Sequence, residues 1–89
     1  MIRISVVVPF YNSERYIAEC VEGLLSQSYP MEHYEIVMVD NNSTDASAEI
    51  VKRYPRVRFV HEEKQGAYAA RNNGIKEAKG EIIAFTDPE

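Results

Sequence analysis

The sequence predicts an α/β fold of the three-layer, Rossmann-like kind, with the element order βαβαβαβ and a four-stranded parallel sheet. Short runs rich in Val and Ile alternate with stretches of helical periodicity along all 89 residues. The connections are long enough for right-handed crossovers between parallel strands, which put helices on both faces of a sheet. The composition, 45% hydrophobic and 27% charged, is typical of a globular domain. We therefore interpret residues 1–89 as a single domain.

Four apolar runs predict the strands. They are short and rich in β-branched residues, as strands buried on both faces of a parallel sheet are. Pro9 follows the first run and is expected to stop it, because proline has no N–H to donate within a sheet. The predicted strands are residues 4–8, 35–39, 57–61 and 82–85.

Helical periodicity between the strands predicts three helices. The first is expected to begin at Glu14, with Asn12 or Ser13 as its N-cap, and to be closed by Tyr29 and Pro30. The predicted helices are about residues 14–27, 44–54 and 67–78.

The third predicted helix has an unusually small inner face. It opens after Gly66, and Ala67, Ala70 and Gly74 recur on one side of it. Small residues let a helix lie close to a sheet, although a glycine within a helix costs roughly 1 kcal/mol relative to alanine. The pattern therefore predicts close contact between this helix and the sheet.

Charge and cysteine content narrow the class of protein. Ten basic and fourteen acidic residues give a net charge of -4, whereas a nucleic-acid binder would normally carry a basic face. Nucleotide binding stays open, because a metal ion or helix N-termini can offset phosphate charge. The single cysteine, Cys20, fits a reducing compartment, and neither a signal sequence nor a membrane span of roughly 20 apolar residues is expected. We expect a cytoplasmic protein, with peripheral membrane contact left open.

Polar and acidic residues follow every predicted strand. Ligands of open parallel sheets bind beyond the carboxyl ends of the strands, so these segments are expected to meet at one edge and form a site. The sequence contains no glycine-rich dinucleotide fingerprint and no phosphate-binding P-loop, which argues against those two classes of enzyme. The polar segments are residues 9–14, 40–45, 61–66 and 86–89.

The last of these segments carries two carboxylates. Asp87 and Glu89 stand two residues apart, and carboxylate oxygens suit Mg²⁺ or Mn²⁺, which would also keep water and phosphate ligands. On spacing alone, a solvated acidic turn is the more common interpretation.

The other candidate residues have more than one interpretation. Asp40 ends a buried strand and either accepts from a base N–H or ribose hydroxyl or caps a turn. Asp45 is expected mainly to complement the N-terminus of a helix. Tyr11, His61 and Arg71 either contact a ligand or serve as ordinary packing and surface residues.

Four segments carry a family likeness: residues 6–14 (VVVPFYNSE), 36–45 (IVMVDNNSTD), 65–75 (QGAYAARNNGI) and 80–87 (GEIIAFTD). In this order and spacing they resemble the family-2 glycosyltransferases, which have the GT-A fold. Each segment is a weak signal alone, but four in the correct order are specific, and the likeness covers the whole chain. The resemblance implies the strand order 3-2-1-4. It also implies transfer of a sugar from a nucleotide donor, commonly a UDP-sugar, usually with inversion.

The resemblance implies roles for individual residues around the donor. Pro9, Tyr11 and Glu14 match the first loop of the family, which lies beside the nucleoside. Asp40 matches the acid that recognises the base. Arg71 matches a helix residue near the nucleotide.

The acidic tail matches the family's D-x-D motif. Asp87 and Glu89 fall on its two acids, the second of which binds metal and diphosphate, so the resemblance implies Mg²⁺ or Mn²⁺ at these residues and Asp87 in contact with the donor. The ion would act as a Lewis acid on the leaving nucleoside diphosphate. Two positions depart from the pattern: Asn41 stands where many members have a second aspartate, and Glu89 replaces the usual aspartate.

The family's second half, with the acceptor site and the general base, is expected to lie outside these 89 residues. We therefore assign no catalytic residue here and expect the chain alone to be inactive. Without that half the fourth strand is an apolar sheet edge, which predicts a homo-oligomer formed through that strand. The main alternative is a non-catalytic nucleotide-binding or regulatory half-domain. A receiver-like domain fits less well, because it would need an acidic pair after the first strand, and a purely structural scaffold leaves the polar strand ends unexplained.

Overall fold

Four parallel strands form the central layer of the molecule, in a computed structural model that describes residues 1–28 and 30–88. In chain order they are β1 (Ile4–Phe10), β2 (Tyr34–Asp40), β3 (Val57–His61) and β4 (Ile82–Phe85). They lie side by side in the order β3-β2-β1-β4, and all three pairings are parallel. The predicted fold class and strand order are confirmed. Tyr29 and Glu89 lie outside the described residues, so their predicted roles in closing the first helix and in binding metal stay predictions.

Three helices cover the two faces of this sheet. They are α1 (Ile17–Leu25), α2 (Ser47–Val51) and α3 (Ala67–Glu77), and a short 3₁₀ helix, Met31–His33, precedes β2. α1 and α2 pack on one face, and α3 packs on the other. In the described part of the chain, no helix combines the length and the apolar character needed to cross a membrane.

The core has one layer on each face, because successive strand residues point to opposite sides of the sheet. Val8 and Met38 are fully buried on the side of α1 and α2. Val7, Val37 and Val39 are fully buried on the side of α3. Both faces of β2 are thus covered, which explains why its sequence is a continuous apolar run rather than an alternating one.

β1 continues through Pro9 to Phe10, so the prediction that Pro9 ends the strand is wrong. The carbonyl of Val7 accepts a hydrogen bond from the N–H of Thr86, so the backbone groups of Val7 point toward β4. Pro9 lies two residues further on and directs its nitrogen to the same side, beyond the last β1 residue that pairs with β4. No ladder hydrogen bond needs an N–H at that point, and the proline therefore fits within the strand.

α1 begins at Ile17, three residues later than predicted, and no side chain caps its N-terminus. The carbonyl of Ser13 instead accepts the N–H groups of Tyr16 and Ile17 in a preceding turn. Asn12, the other predicted cap, bonds to the loop after β2 rather than to its own helix. α2 also begins later than predicted, for a related reason: the residues before it bond to the loop after β1.

α3 lies very close to the sheet at Gly74. A Cβ atom at this position would overlap Cγ1 of Val7 and would stand 3.3 Å from Cγ2 of Val39. Both valines are fully buried, so neither side chain can move aside at low cost. The predicted small inner face is confirmed at Gly74 and at Ala70, which is also fully buried, whereas Ala67 is exposed.

Glu35 ties the connection between α3 and β4 to the amino edge of the sheet. Its carboxylate accepts hydrogen bonds from the Ser5 hydroxyl at 2.6 Å and from the Lys79 N–H at 2.7 Å. The guanidinium of Arg58 lies 3.6 Å from the same carboxylate, and the Ser5 hydroxyl accepts from the N–H of Gly80 at 2.8 Å. Because β4 leads directly into the acidic tail, this network helps to set where that tail begins.

Replacing Gly74 with alanine is expected to lower the free energy of unfolding by about 1–3 kcal/mol, because overpacking against Val7 outweighs the gain in helix propensity. Chemical denaturation followed by circular dichroism measures the change. Gly23→Ala is the matched control, since Gly23 also lies within a helix but nothing lies within 4 Å of the added Cβ. That change is expected to raise stability by up to about 1 kcal/mol. Equal effects from the two substitutions would contradict the close contact at Gly74.

β4 is the exposed edge of the sheet. Within the described ranges it pairs only with β1, and its side chains Ile82 and Phe85 are 51% and 46% exposed. On its outer side, an apolar edge strand presents free N–H and C=O groups to any second strand. We propose, as the sequence predicts, that two copies associate through β4.

Ile82→Lys is expected to abolish this association, because a lysine on an edge strand opposes pairing with a second chain. Sedimentation equilibrium over a range of concentrations measures it. Ile75→Lys, a change at a 44% exposed position on α3, serves as the control and is expected to leave the association intact. A clean monomer of the unaltered chain at high concentration would refute the proposal.

Candidate functional site

Two neighbouring cavities lie at the carboxyl edge of the sheet. The first has a volume of about 210 Å³ and the second a volume of about 480 Å³, and both are lined by the end of β1, by Tyr11 and by Asp87. The first also reaches the start of α3. Its lining residues are Pro9, Phe10, Tyr11, Asn41, Ala67, Ala70, Arg71 and Asp87.

The first cavity brings together four of the predicted donor-binding residues: Pro9, Tyr11, Arg71 and Asp87. Pro9, Tyr11 and Asp87 come from the first and fourth polar segments, as expected for loops that meet at one edge, whereas Arg71 lies in the second turn of α3. Tyr11 is 49% exposed, so about half of this residue is accessible to a ligand. Arg71 and Asp87 are exposed at the rim and present opposite charges to the same space.

Asp40 lies deeper, and neither cavity reaches it in the described structure. Only 3% of the residue is exposed. Its Oδ1 accepts a hydrogen bond from the Ser43 N–H at 2.9 Å, and its Oδ2 lies 3.5 Å from Nδ1 of His61. Asp40 therefore organises the turn that follows β2, and its role in recognising a base stays a prediction.

Glu14 and Asp45 interlock the loops after β1 and β2. The carboxylate of Glu14 accepts the N–H of Ala46 at 3.3 Å, and the carboxylate of Asp45 accepts the N–H groups of Glu14 at 3.2 Å and of Ser47 at 2.9 Å. Partial burial acts to raise the pKa of Asp45, but these hydrogen bonds outweigh it and hold the pKa below its ordinary value. Glu14 lines neither cavity. Its hydrogen bonds support the loop after β1, and Tyr11 of that loop lines both cavities.

Asn12 strengthens the same connection. Its Oδ1 accepts the N–H groups of Thr44 at 2.8 Å and of Asp45 at 3.3 Å, while its own N–H donates to the Ser43 hydroxyl at 2.9 Å. The backbone of Asn12 is left-handed, with φ of 47°, a conformation that asparagine tolerates better than most residues. Sequence analysis assigned Asn12 only a capping role, although its place in a run of polar turn residues was the available signal.

Asn41 also lines the cavity, although the sequence indicated no structural role for it. Its Nδ2 donates to the carbonyls of Lys64 at 2.7 Å and Glu62 at 3.3 Å, and its Oδ1 accepts the N–H of Gly66 at 2.9 Å. In the sequence, Asn41 stood out only as a departure from the aspartate that is common in the family. In the structure its side chain holds the loop before α3. No local pattern could have indicated this, because its partners lie more than 20 residues away.

Glu62 holds the same loop from the side of α3. Its carboxylate accepts the Lys64 N–H at 2.9 Å and the Asn73 side-chain amide at 3.0 Å. These hydrogen bonds, the one from Lys64 foremost, keep the pKa of Glu62 below its ordinary value. The loop at residues 62–66 is thus fixed at both ends by side-chain hydrogen bonds.

The side chains at the cavity that could ligate a metal suit an ion that takes few ligands from the protein. Within residues 1–28 and 30–88 no three histidine, cysteine, aspartate or glutamate side chains gather to form a complete cation site. Asp87 alone offers a carboxylate to the cavities, and its predicted companion Glu89 lies outside the described residues. Mg²⁺ commonly binds one or two carboxylates together with water and substrate phosphates, and one carboxylate facing a polar cavity fits that pattern.

The cavity lies beyond the carboxyl ends of the strands, where open parallel α/β sheets bind their ligands. The model of glycosyl transferase family 2 matches residues 5–88, and the chain belongs to that family. The glycosyltransferase GlyG of Streptococcus pneumoniae serotype 4 is 48% identical over 91 residues, which cover 97% of this chain and 30% of that protein.

Solved structures agree with this assignment. TarS from Staphylococcus aureus in complex with UDP-GlcNAc superposes with a TM-score of 0.88 at 36% identity and covers 98% of this chain. The mannosyltransferase PcManGT from Pyrobaculum calidifontis, in complex with GDP-Man and Mn²⁺, superposes with a TM-score of 0.90 at 34% identity and covers 97%. The chain spans 26% and 27% of those two chains, so it corresponds to less than a third of each relative.

Asp45→Asn is expected to lower the free energy of unfolding at pH 7 by about 0.5–1 kcal/mol, because the neutral amide accepts more weakly from the N–H groups of Glu14 and Ser47. The folded-state pKa of Asp45 is lowered, so its contribution is full above the ordinary value of 3.8 and is lost as the pH falls through the folded value. The difference between the variant and the unaltered chain should therefore shrink below pH 4.

Urea denaturation at pH 7 and at pH 3 measures this difference. Glu49→Gln is the matched control, since it also removes an exposed acid near the start of α2. A loss for Asp45→Asn that persists undiminished at pH 3, or an equal loss for the control, would show that the carboxylate does not stabilise the loop.

Proposed function

We propose that this chain is the donor-binding part of a glycosyltransferase that takes a nucleoside diphosphate sugar, with a UDP-sugar as the first candidate, and a divalent metal ion. The observation that carries the proposal is the first cavity, where the cationic Arg71 and the anionic Asp87 line the same space. A diphosphate needs both kinds of group. A guanidinium donates to phosphate oxygens, and a carboxylate holds the metal that offsets their charge.

The nucleoside is proposed to lie along the wall formed by Pro9 and Tyr11. A partly exposed aromatic ring can stack on a base. Asp40 lies below the adjoining turn, where its Oδ1 is engaged by the Ser43 N–H at 2.9 Å. The contact of its Oδ2 with His61 is longer, at 3.5 Å, so Oδ2 is the oxygen with capacity to accept a base N–H.

Asp87 is proposed as a metal ligand, together with Glu89, and Mg²⁺ or Mn²⁺ as the ion. Support comes from the exposed carboxylate of Asp87 at both cavities and from a structural relative that holds Mn²⁺ with GDP-Man. When bound, such an ion would offset the negative charge that develops on the leaving nucleoside diphosphate.

The reaction proposed for the complete site is displacement of the nucleoside diphosphate by an acceptor hydroxyl, with inversion at the sugar carbon. In this scheme Arg71 and Tyr11 bind and orient the donor, and a general base outside this chain takes the proton of the acceptor. Because the chain spans less than a third of its relatives, we expect it to bind the donor without transferring sugar by itself. We propose a cytoplasmic location, with peripheral membrane contact left open by the sequence.

Calorimetric titration with UDP, with and without Mn²⁺, tests this proposal. Mn²⁺ is expected to strengthen binding, and Asp87→Asn is expected to remove most of that strengthening while leaving metal-free binding in place. Arg71→Ala is expected to weaken UDP binding by about ten- to a hundredfold under both conditions, because a charge-assisted hydrogen bond contributes roughly 1.5–3 kcal/mol. Asp40→Ala is expected to weaken binding of UDP but not of inorganic diphosphate, which has no base.

Arg53→Ala is the control for Arg71→Ala. It removes the same charge from an exposed position after α2 that does not line either cavity. Its effect on UDP binding should stay within about twofold, as for a screened surface charge. No binding by a folded sample, or equal losses for the two arginine variants, would overturn the proposal.

A further inference from the structure

Asn41 connects the two walls of the first cavity. One wall is the end of β1, and the other is the start of α3. The loop at residues 62–66 leads into that helix and is taken together with it as the α3 wall. Asn41 lies between them, is 7% exposed and lines the cavity itself. We propose that Asn41 is a positioning residue whose side-chain amide, together with its backbone N–H and carbonyl, sets the spacing of these walls, and with it the affinity for the donor. The part that concerns the donor rests on the proposed function above.

The side-chain amide of Asn41 is fully engaged by the α3 wall. Both protons of Nδ2 have an acceptor, the carbonyls of Lys64 at 2.7 Å and Glu62 at 3.3 Å. Oδ1 accepts the N–H of Gly66 at 2.9 Å, and Gly66 is the residue directly before α3. These three hydrogen bonds fix both the loop and the position at which the helix begins.

The backbone of Asn41 joins the opposite wall. Its N–H donates to the carbonyl of Phe10 at 2.9 Å, at the end of β1. Its carbonyl accepts from the side-chain amide of Gln65 at 2.6 Å, which adds a second bond to the α3 wall. One buried residue therefore holds chain segments that lie about 30 residues before it and 25 residues after it in the sequence.

Many family members carry an aspartate at position 41, but in this chain the contacts of the side chain require an amide. An aspartate has nearly the same shape and keeps the acceptor for Gly66, but it has no proton to donate to the carbonyls of Glu62 and Lys64. Its negative oxygen would face two carbonyl oxygens in a buried place, where such an arrangement is repulsive. The loop and the start of α3, which carries Arg71 one turn later, would then move away from β1.

Asn41→Asp tests the proposal with little change in volume. Hydrogen–deuterium exchange of the ligand-free chain is expected to show at least about tenfold faster exchange at residues 62–66, with the amides of β1 and β2 unchanged. Calorimetry with UDP and Mn²⁺ is expected to show affinity weakened by about tenfold, the effect of two lost hydrogen bonds. Lowering the pH should partly reverse the faster exchange, relative to the unaltered chain at the same pH, because a protonated carboxyl can donate again.

Asn42→Asp is the matched control. It makes the same chemical change one residue away, at an exposed position, so it adds the same charge to the same loop. We expect its effect on loop exchange to be negligible and its effect on UDP affinity to be below about threefold, as for a screened charge. Equal effects of the two variants would show that charge, not the amide contacts, is responsible and would overturn the proposal.

The exchange measurement separates this inference from the proposed function. Unchanged exchange at residues 62–66 in Asn41→Asp overturns the inference whether or not UDP binds, and a loosened loop with unchanged UDP affinity overturns the role in donor binding. A chain that binds no UDP overturns the proposed function and the donor part of this inference, while the exchange data still decide whether Asn41 holds the loop.

Gln65→Met covers the case in which Asn41→Asp does not fold. This exposed substitution removes only the bond to the Asn41 carbonyl. It should loosen the same loop and weaken UDP binding by about two- to threefold, and no change in either would count against the proposal.

Discussion

The close contact between α3 and the sheet at Gly74 determines where this helix, and the cavity residues it carries, lie relative to the strands. Because this residue has no side chain, the helix lies directly on the buried valines Val7 and Val39, and Ala70 continues the contact one turn earlier. Arg71 follows Ala70 and is therefore carried to the rim of the cavity, on the side opposite Tyr11. A helix held further from the sheet would take Arg71 out of reach of a ligand bound near Asp87. Close packing in the core thus fixes the distance of α3 from the sheet, while the contacts of Asn41 hold the loop that leads into the helix.

The loops that surround the cavity are held by a different kind of interaction. Their backbone N–H and C=O groups pair mainly with side chains from other loops, as Asn12 and Asp45 do between the first two loops and Asn41 does between the second and third. Such pairing satisfies polar groups that no sheet or helix can reach. The exposed Arg71 and Asp87 can meet a ligand rather than each other.

The two edges of the sheet differ in character: the amino edge carries a hydrogen-bonded network, and the carboxyl edge carries the cavities. At the amino edge, Glu35 gathers Ser5, Arg58 and the Lys79 N–H and anchors the entry into β4. At the carboxyl edge the same strand leads into the acidic tail, in which Asp87 is exposed. β4 thus joins a firmly held start to an exposed end, and its own free edge and half-exposed Ile82 and Phe85 leave it available to further polypeptide.

The sequence by itself determined the class of fold, the strands at residues 57–61 and 82–85, and the gathering of Pro9, Tyr11 and Asp87 at one edge, whereas the place of Arg71 beside them followed only from the family resemblance. These features depend on local periodicity and on a general rule for parallel sheets. Only the tertiary structure decided that β1 continues through Pro9, that Asn12 leaves α1 uncapped, and that Asn41 holds the loop before α3. In each case the outcome depends on what lies opposite the residue: a missing partner beside Pro9, and backbone groups more than 20 residues away for Asn12 and Asn41. A hydrogen bond between distant segments has no signature in the local sequence, because its geometry exists only after the sheet has brought the loops together.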